Sequence, residues 1–358
     1  MSTKNVAAQL ESERNGPRSP ASWSTLTKSR ADLFRSLVVI GSVLLGVALG
    51  IGVLVFSKWL PSDLSRTEVL LRTLHTRGCN PRAVVFGDSV IMSGVDTHIV
   101  RARTHASGPV LNLSSVGQTL AESALYYQEL PSSVTTIVQA LRIENLIASG
   151  EAHAFNLHVA YTFKRDGYRP DDETRRMLTN IFGETEMRQL MSGRLAAVIE
   201  SRWLVRQYID VSVKPMLRSD LNMRRQMEDL YYPQAFIHPM EQGAVFNELN
   251  DQAARACGDC FHPELVTLMI SLQTSSVKKG RRYLVLLSPV HPALQEKYSA
   301  VYSRLKRDIQ AGLFGGPENV IDAFQLLGPQ DFLDYAHPTR AGAEKLSNLI
   351  AERLGQLH

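Results

Sequence analysis

A serine at the end of a buried strand is a place where chemistry can be done. In "VVFGDSVIMSG", Val84 to Gly94, apolar residues run straight into Gly87, Asp88 and Ser89, and the chain then becomes helix-compatible again. Gly, Asp and Ser are common turn residues, so the triplet reads first as a loop. It also reads as a nucleophile presented at the tip of a parallel strand, which requires a general base for the hydroxyl proton and a third group to orient that base. The C-terminal stretch "DYAHPTRAGAEKLSNLI" supplies both, because Asp334 and His337 are three residues apart. That spacing sets a carboxylate against one imidazole nitrogen and leaves the other for an incoming hydroxyl.

The same spacing occurs twice. Asp259 and His262, in "CGDCFHPELV", are also followed by proline. Order separates the pairs: two strand candidates follow Asp259 and His262, whereas Asp334 and His337 come after the last strand candidate and before the closing helix. Cys257, Cys260 and His262 amount to three of the four ligands that structural zinc takes, with no evident fourth, so no metal site is expected there and no cofactor is implied. Cys257 and Cys260 stay open between a strained or redox-active disulfide-type loop and no role at all. Together with Cys79 they do not form a disulfide scaffold. His291, in "SPVHP", is either a pocket residue after the fourth strand or a turn histidine between prolines.

Positioning a serine against a distant histidine requires a framework. Short apolar strand candidates run from Ala83 to Gly87, Val110 to Leu113, Val134 to Leu141, Tyr283 to Leu287 and Val320 to Ile321. Helix-compatible segments separate them, among them Thr119 to Leu130, Ala293 to Ala311 and Thr339 to Leu354, which predicts βαβ units and a parallel sheet. About 140 residues separate the third and fourth candidates, far more than one crossover helix needs. Charged stretches such as "DDETRRMLTNIF" and "DLNMRRQMEDLYY" fill that interval and predict a helical insertion over about 146–281, placed to shape a substrate groove.

The N-terminal region belongs to a different solvent. From Leu37 to Phe56 the chain holds 20 uncharged residues, 14 of them Leu, Val, Ile or Phe, enough for a helix to span a bilayer core. The stretch is long for the apolar part of a signal peptide, and "SKWLPSDL" behind it lacks a small-residue cleavage site, so it reads as an uncleaved anchor. Lys4, Arg14, Arg18, Lys28, Arg30 and Arg35 outnumber Glu11, Glu13 and Asp32 ahead of it, which predicts a cytoplasmic N-terminus and an extracytoplasmic remainder. Ser42, Gly46 and Gly50 recur every four residues; either they form a small-residue helix face for a neighbouring helix, or they reflect the frequency of glycine in membrane spans. The organisation expected is a disordered cytoplasmic tail (1–35), an anchor (36–58), a linker helix (59–79) opened by Ser62 or Asp63, and a catalytic domain (80–358). With 358 residues, 44% hydrophobic and 21% charged, the composition is that of an ordinary globular chain. A net charge of +4, without long Lys/Arg runs or interleaved aromatics, sets nucleic-acid binding aside.

Gly-Asp-Ser after the first strand, a glycine after the second and D-x-x-H before the final helix together resemble the SGNH (GDSL) hydrolase superfamily, over roughly residues 80 to 358. The resemblance implies a flavodoxin-like three-layer αβα domain with Ser89 as nucleophile, His337 as base and Asp334 as its partner. It also implies an oxyanion hole formed by the Ser89 amide and Gly117 in "NLSSVGQT". The third block of that family is usually G-x-N-D; here "RIEN", Arg142 to Asn145, keeps the asparagine and lacks the glycine and the trailing aspartate, so Asn145 is the expected side-chain donor. Anchored chains of this kind resemble enzymes that O-acylate, often O-acetylate, exported polysaccharides beside a multi-pass membrane-bound O-acyltransferase. A membrane-tethered carbohydrate esterase or lipase is the alternative expectation. A non-catalytic carbohydrate-binding domain, or a subunit of a polysaccharide-export complex, is the third.

Overall fold

The structure, a computed structural model, describes residues 23–56, 67–104, 108–115, 117–147, 163, 169–191, 246–247, 249–251 and 261–356. The chain divides into two compact units, residues 1–54 and 55–358. Among the described residues, the first holds all but the last two residues of one long helix, α1 (Trp23–Phe56). Its segment Asp32–Gly50 has a mean hydropathy of 2.1 and is long and apolar enough to cross a membrane. The helix starts at Trp23, inside the 1–35 stretch expected to be disordered. No Gly or Pro interrupts the chain between Pro20 and Gly41, so an apolar helix, once nucleated, extends back through these residues at one hydrogen bond apiece.

The second unit opens with α2 (Thr67–His75), which buries Leu70, Leu71 and Leu74; the expected caps Ser62 and Asp63 lie outside the described residues. Then follow β1 (Ala83–Phe86), α3 (Ser89–Gly94), α4 (Thr97–Thr104), β2 (Val110–Asn112), α5 (Leu120–Tyr127), β3 (Thr136–Leu141), α6 (Ile143–Ile147) and α7 (Asp172–Met191). After these come α8 (Pro263–Lys278), β4 (Arg282–Leu287), α9 (Pro292–Gln295), α10 (Ser299–Gln310), β5 (Val320–Asp322) and α11 (Arg340–Gly355). The five strands form one wholly parallel sheet in the order β2-β1-β3-β4-β5. A sheet covered on both faces needs strands that are apolar throughout, and the residues of β1 are all buried. Val84 and Phe86 face a core with Ala124 and Leu125 of α5 and Leu268 and Leu272 of α8; Ala83 and Val85 face another with Ile91 of α3, Val100 of α4 and Ile350 of α11. All five strands lie within about two residues of the expected ranges.

Two elements differ from expectation. The long interval after β3 is not all insertion, because α8, inside the expected 146–281, is the crossover helix to β4. Leu265, Leu268, Met269 and Leu272 repeat along one face of α8 and are buried, as a helix covering a parallel sheet requires. The "DDETRRMLTNIF" segment is helical in α7, which is broken at Gly183 (φ +79) and buries Leu178 in the α5/α8 core. "DLNMRRQMEDLYY" lies outside the described residues. The expected helix Ala293 to Ala311 is split into α9 and α10 at Tyr298, whose ring is fully buried and whose hydroxyl donates to the Leu249 carbonyl at 3.0 Å.

Candidate active site

Strand order reverses between β1 and β3, so the loops leaving these two strands diverge and open a crevice at the carboxyl edge of the sheet. The β1–α3 turn lies there. A Cβ on Gly87 would approach Ile91 side-chain atoms to 2.7 and 2.8 Å, so only glycine lets α3 start this close to the strand. Asp88 is the N-cap, extended at φ −85, ψ −161, and its Oδ1 accepts the Val90 amide at 3.0 Å. Ser89 is the first helical residue and is half-buried. At the other end of α3, the Asn112 side-chain amide lies 3.0 to 3.3 Å from the carbonyls of Ile91, Met92 and Val95. The short helix is therefore pinned at both ends.

The histidine arrives from the far end of the chain. In the loop before α11, Leu333 N–H donates to the His337 carbonyl at 2.8 Å, and Phe332 bridges Pro338. Asp334 organises this loop through one oxygen: Oδ1 accepts the amides of Ala336 at 2.7 Å and His337 at 2.6 Å. The other oxygen, Oδ2, lies 2.8 Å from His337 Nδ1, while His337 Nε2 lies 3.0 Å from Ser89 Oγ. An ionised carboxylate only accepts, so it holds the proton on Nδ1 and leaves Nε2 as acceptor for the serine hydroxyl. Burial would raise the Asp334 carboxyl, but the His337 ring, with the amides of His337 and Ala336, holds it below the usual range. Ionised Asp334 is thus the resting form.

The loop is anchored below. Thr339 caps α11 by accepting the Gly342 amide at 3.2 Å, and its own amide donates to the Asp331 carbonyl at 2.7 Å. Asp331, 2% exposed, takes Lys345 Nζ at 2.7 and 2.9 Å. A Cβ on Gly342 would overlap the Asp331 carbonyl oxygen, so glycine permits this close approach.

The two other expected donors lie after β2 and after β3. Gly117, at φ +63, is exposed in the loop between β2 and α5, and a Cβ there would be strained whatever the space. Its neighbour Gln118 ties that loop to β1, accepting the Gly87 amide at 3.1 Å and donating to the Leu113 carbonyl at 3.2 Å. Asn145 sits on α6, half-buried, with its backbone amide on the Arg142 carbonyl at 3.1 Å. Among the described residues, the amides of Ser89 and Gly117 and the side chain of Asn145 have no hydrogen-bond partner. A narrow cleft of about 20 Å³ runs beside Asp88, lined by Gln118, Gln139, Arg142, Asn145 and Ser288 among others. Ser89 and His337 stand next to this cleft and do not line it.

Of the residues singled out from sequence, Ser89, Asp334 and His337 form one hydrogen-bonded chain, and Asn145 lines the adjoining cleft. His262 is elsewhere engaged: it is the N-cap of α8, with Nδ1 2.8 Å from Glu264, while Asp259, Cys257 and Cys260 lie outside the described residues. Cys79 is a free thiol, half-buried. His291 is the N-cap of α9, in keeping with the turn alternative, and it lines none of the described pockets. Its Nδ1 accepts the Ala293 amide at 3.2 Å, and its ring packs 4.6 Å from Tyr335 and 5.0 Å from Phe332, against the loop that bears His337. Burial lowers its pKa against the pull of Asp334, so the ring is neutral. Sequence reading missed Asn112, Gln118 and Arg142, which carry no local pattern because each acts on a loop distant in the chain. No family model matches this chain, and no curated protein matches it.

Proposed function

We propose that this chain is a membrane-anchored serine acyltransferase of the SGNH type that O-acylates, in particular O-acetylates, an exported polysaccharide. The observation that carries the reading is the chain Ser89 Oγ, His337 Nε2, His337 Nδ1, Asp334 Oδ2, with links of 3.0 and 2.8 Å, joining the tip of β1 to the loop before the last helix. In the reaction Ser89 Oγ bonds to the acyl carbon while its proton passes to His337 Nε2, and the leaving alcohol takes that proton as its bond breaks. A sugar hydroxyl then gives its proton to His337, attacks the acyl-serine and restores Ser89. The amides of Ser89 and Gly117 and the Asn145 side chain receive the developing oxyanion; one such donor is typically worth about 3 to 4 kcal/mol of barrier. No cofactor is required by these steps. Cations ahead of the apolar stretch support a single-pass arrangement in the inner membrane, N-terminus cytoplasmic and catalytic domain periplasmic. A multi-pass membrane-bound O-acyltransferase is the partner that would deliver the acyl group, and the polymer is the acceptor.

The experiment uses the full chain in detergent. A fluorophosphonate probe is expected to label Ser89, with Ser89→Ala removing the label; persistent labelling would identify another nucleophile and reject the assignment. An activated acetyl ester is expected to be hydrolysed slowly, and turned over faster when a polysaccharide acceptor is added. Fast hydrolysis without acceptor stimulation favours the tethered esterase, because the same three side chains serve water equally well.

A further inference from the structure

We infer that Arg142 is a positioning residue, one guanidinium that clamps the nucleophile loop to the start of α6, the helix bearing Asn145; the inference rests on the reading of Ser89 as nucleophile. Arg142 Nη1 lies 3.3 Å from Asp88 Oδ2, and Nη2 lies 3.2 Å from Glu144 Oε1. The three side chains are 20%, 10% and 6% exposed, so the pairs are shielded from water. Strand register brings them together: Phe86 of β1 pairs with Gln139 of β3, and Asp88 and Arg142 follow on the same edge of the sheet. Asp88 is doubly held, with Oδ1 on the Val90 amide and Oδ2 on the cation, which fixes the residue immediately before Ser89. On the other side the guanidinium holds Glu144, the residue before Asn145 in the first turn of α6, where the Asn145 amide donates to the Arg142 carbonyl. A single side chain thus ties the residue before Ser89 to the residue before Asn145.

Charge makes the same point. Burial opposes the guanidinium's charge, but Glu144 and Asp88 outweigh it and hold Arg142 firmly protonated. Two carboxylates against one guanidinium leave the group net negative, so its cation is spent inside the protein and is not offered to an anionic substrate. Arginine's fixed fork suits the two-sided grip, which a lysine point charge reproduces only in part. Where the resembled third block begins with glycine, this chain has a residue with a structural task that glycine cannot perform.

The test compares Arg142→Lys, Arg142→Gln and the double variant Arg142→Gln/Glu144→Gln in the full detergent-solubilised chain. The double variant covers the case in which Arg142→Gln alone strands two buried carboxylates and fails to fold. Hydrogen–deuterium exchange in segments 86–95 and 142–147 is expected to quicken in both glutamine variants. Fluorophosphonate labelling rate and kcat for an activated acetyl ester are expected to fall about 10- to 100-fold, with KM within about twofold, the size of effect that misplacing a reacting group produces. Arg142→Lys should recover part of the loss. Unchanged exchange in both segments overturns the clamp, and so does a rise in KM at unchanged kcat, which would make Arg142 a substrate-binding cation. If exchange quickens while the unsubstituted chain takes up no probe, the clamp stands and the nucleophile reading fails.

Discussion

Two segments of this chain share the pattern Asp-x-x-His-Pro, and their histidines live in different surroundings. His337 is 12% exposed against a fully buried Asp334 side chain, whereas His262 is 30% exposed beside Glu264, itself 47% exposed. The placement of the following helix accounts for much of this. Pro263 begins α8 directly, so His262 is the N-cap: its amide donates to the Leu146 carbonyl and its carbonyl accepts the Val266 amide. Pro338 instead pairs with Phe332, and the cap is delayed to Thr339, which leaves Asp334 to His337 as a closed loop lying over α3. The same pattern therefore leaves an exposed imidazole–carboxylate contact, made with Glu264 beyond the pattern, in one place and a shielded contact within the pattern in the other.

Substitutions in the two segments can break this contrast. The largest effect is expected from His337→Ala, which should lower kcat for an activated ester by about 10⁴-fold or more, since the hydroxyl loses its base. Steady-state kinetics check it, and a loss under tenfold would remove His337 from the chemistry. Asp334→Asn should follow, at about 10³- to 10⁴-fold, because an amide no longer dictates the imidazole tautomer.

The same variant tests linkage. The folded-state pKa of Asp334 is depressed, so its stabilising contribution is present above the ordinary carboxylate value of about 3.9 and is lost as pH falls through the lower folded value. Asp331, also depressed, acts in the same direction. Unfolding curves between about pH 2 and 5 should show a shallower acid limb for Asp334→Asn than for the unsubstituted chain. An identical limb would deny the ionised Asp334 carboxylate any share in stability.

Gly342→Ala should destabilise the domain by about 1 to 3 kcal/mol through the clash with Asp331, read as a lower Tm. Activity should fall with it, since the His337 loop rests on that contact. The smallest effect is expected from His262→Ala, within about twofold in kcat and about 0.5 kcal/mol in stability, as for an exposed ion pair. A large kinetic loss there would invert the comparison.

Much of the fold is legible because buried parallel strands must be apolar along their whole length. Ala83 to Phe86 and Tyr283 to Leu287 stand out as runs whose ends are marked by Gly, Ser or Pro. The role of α8 was hidden. Its buried stripe is clear once aligned, but it lies at the end of a long polar interval, and nothing local separates a crossover helix from an inserted one. Arg142 was hidden for another reason: beside Glu144 it reads as an ordinary charged pair, and the contact with Asp88 is 54 residues away in sequence.

The chain's order of residue types was enough to determine an apolar N-terminal helix, five strands in a parallel α/β sheet, and a serine and a D-x-x-H pair in the loops around it. These follow from local composition and periodicity, which act over a few residues. Which oxygen of Asp334 meets His337, and which cation ties the β1 and β3 loops together, were decided by tertiary structure alone. The contacts around Ser89 join residues up to 248 apart in the chain, and they form only when the strand order 2-1-3-4-5 brings the loop ends to one edge of the sheet.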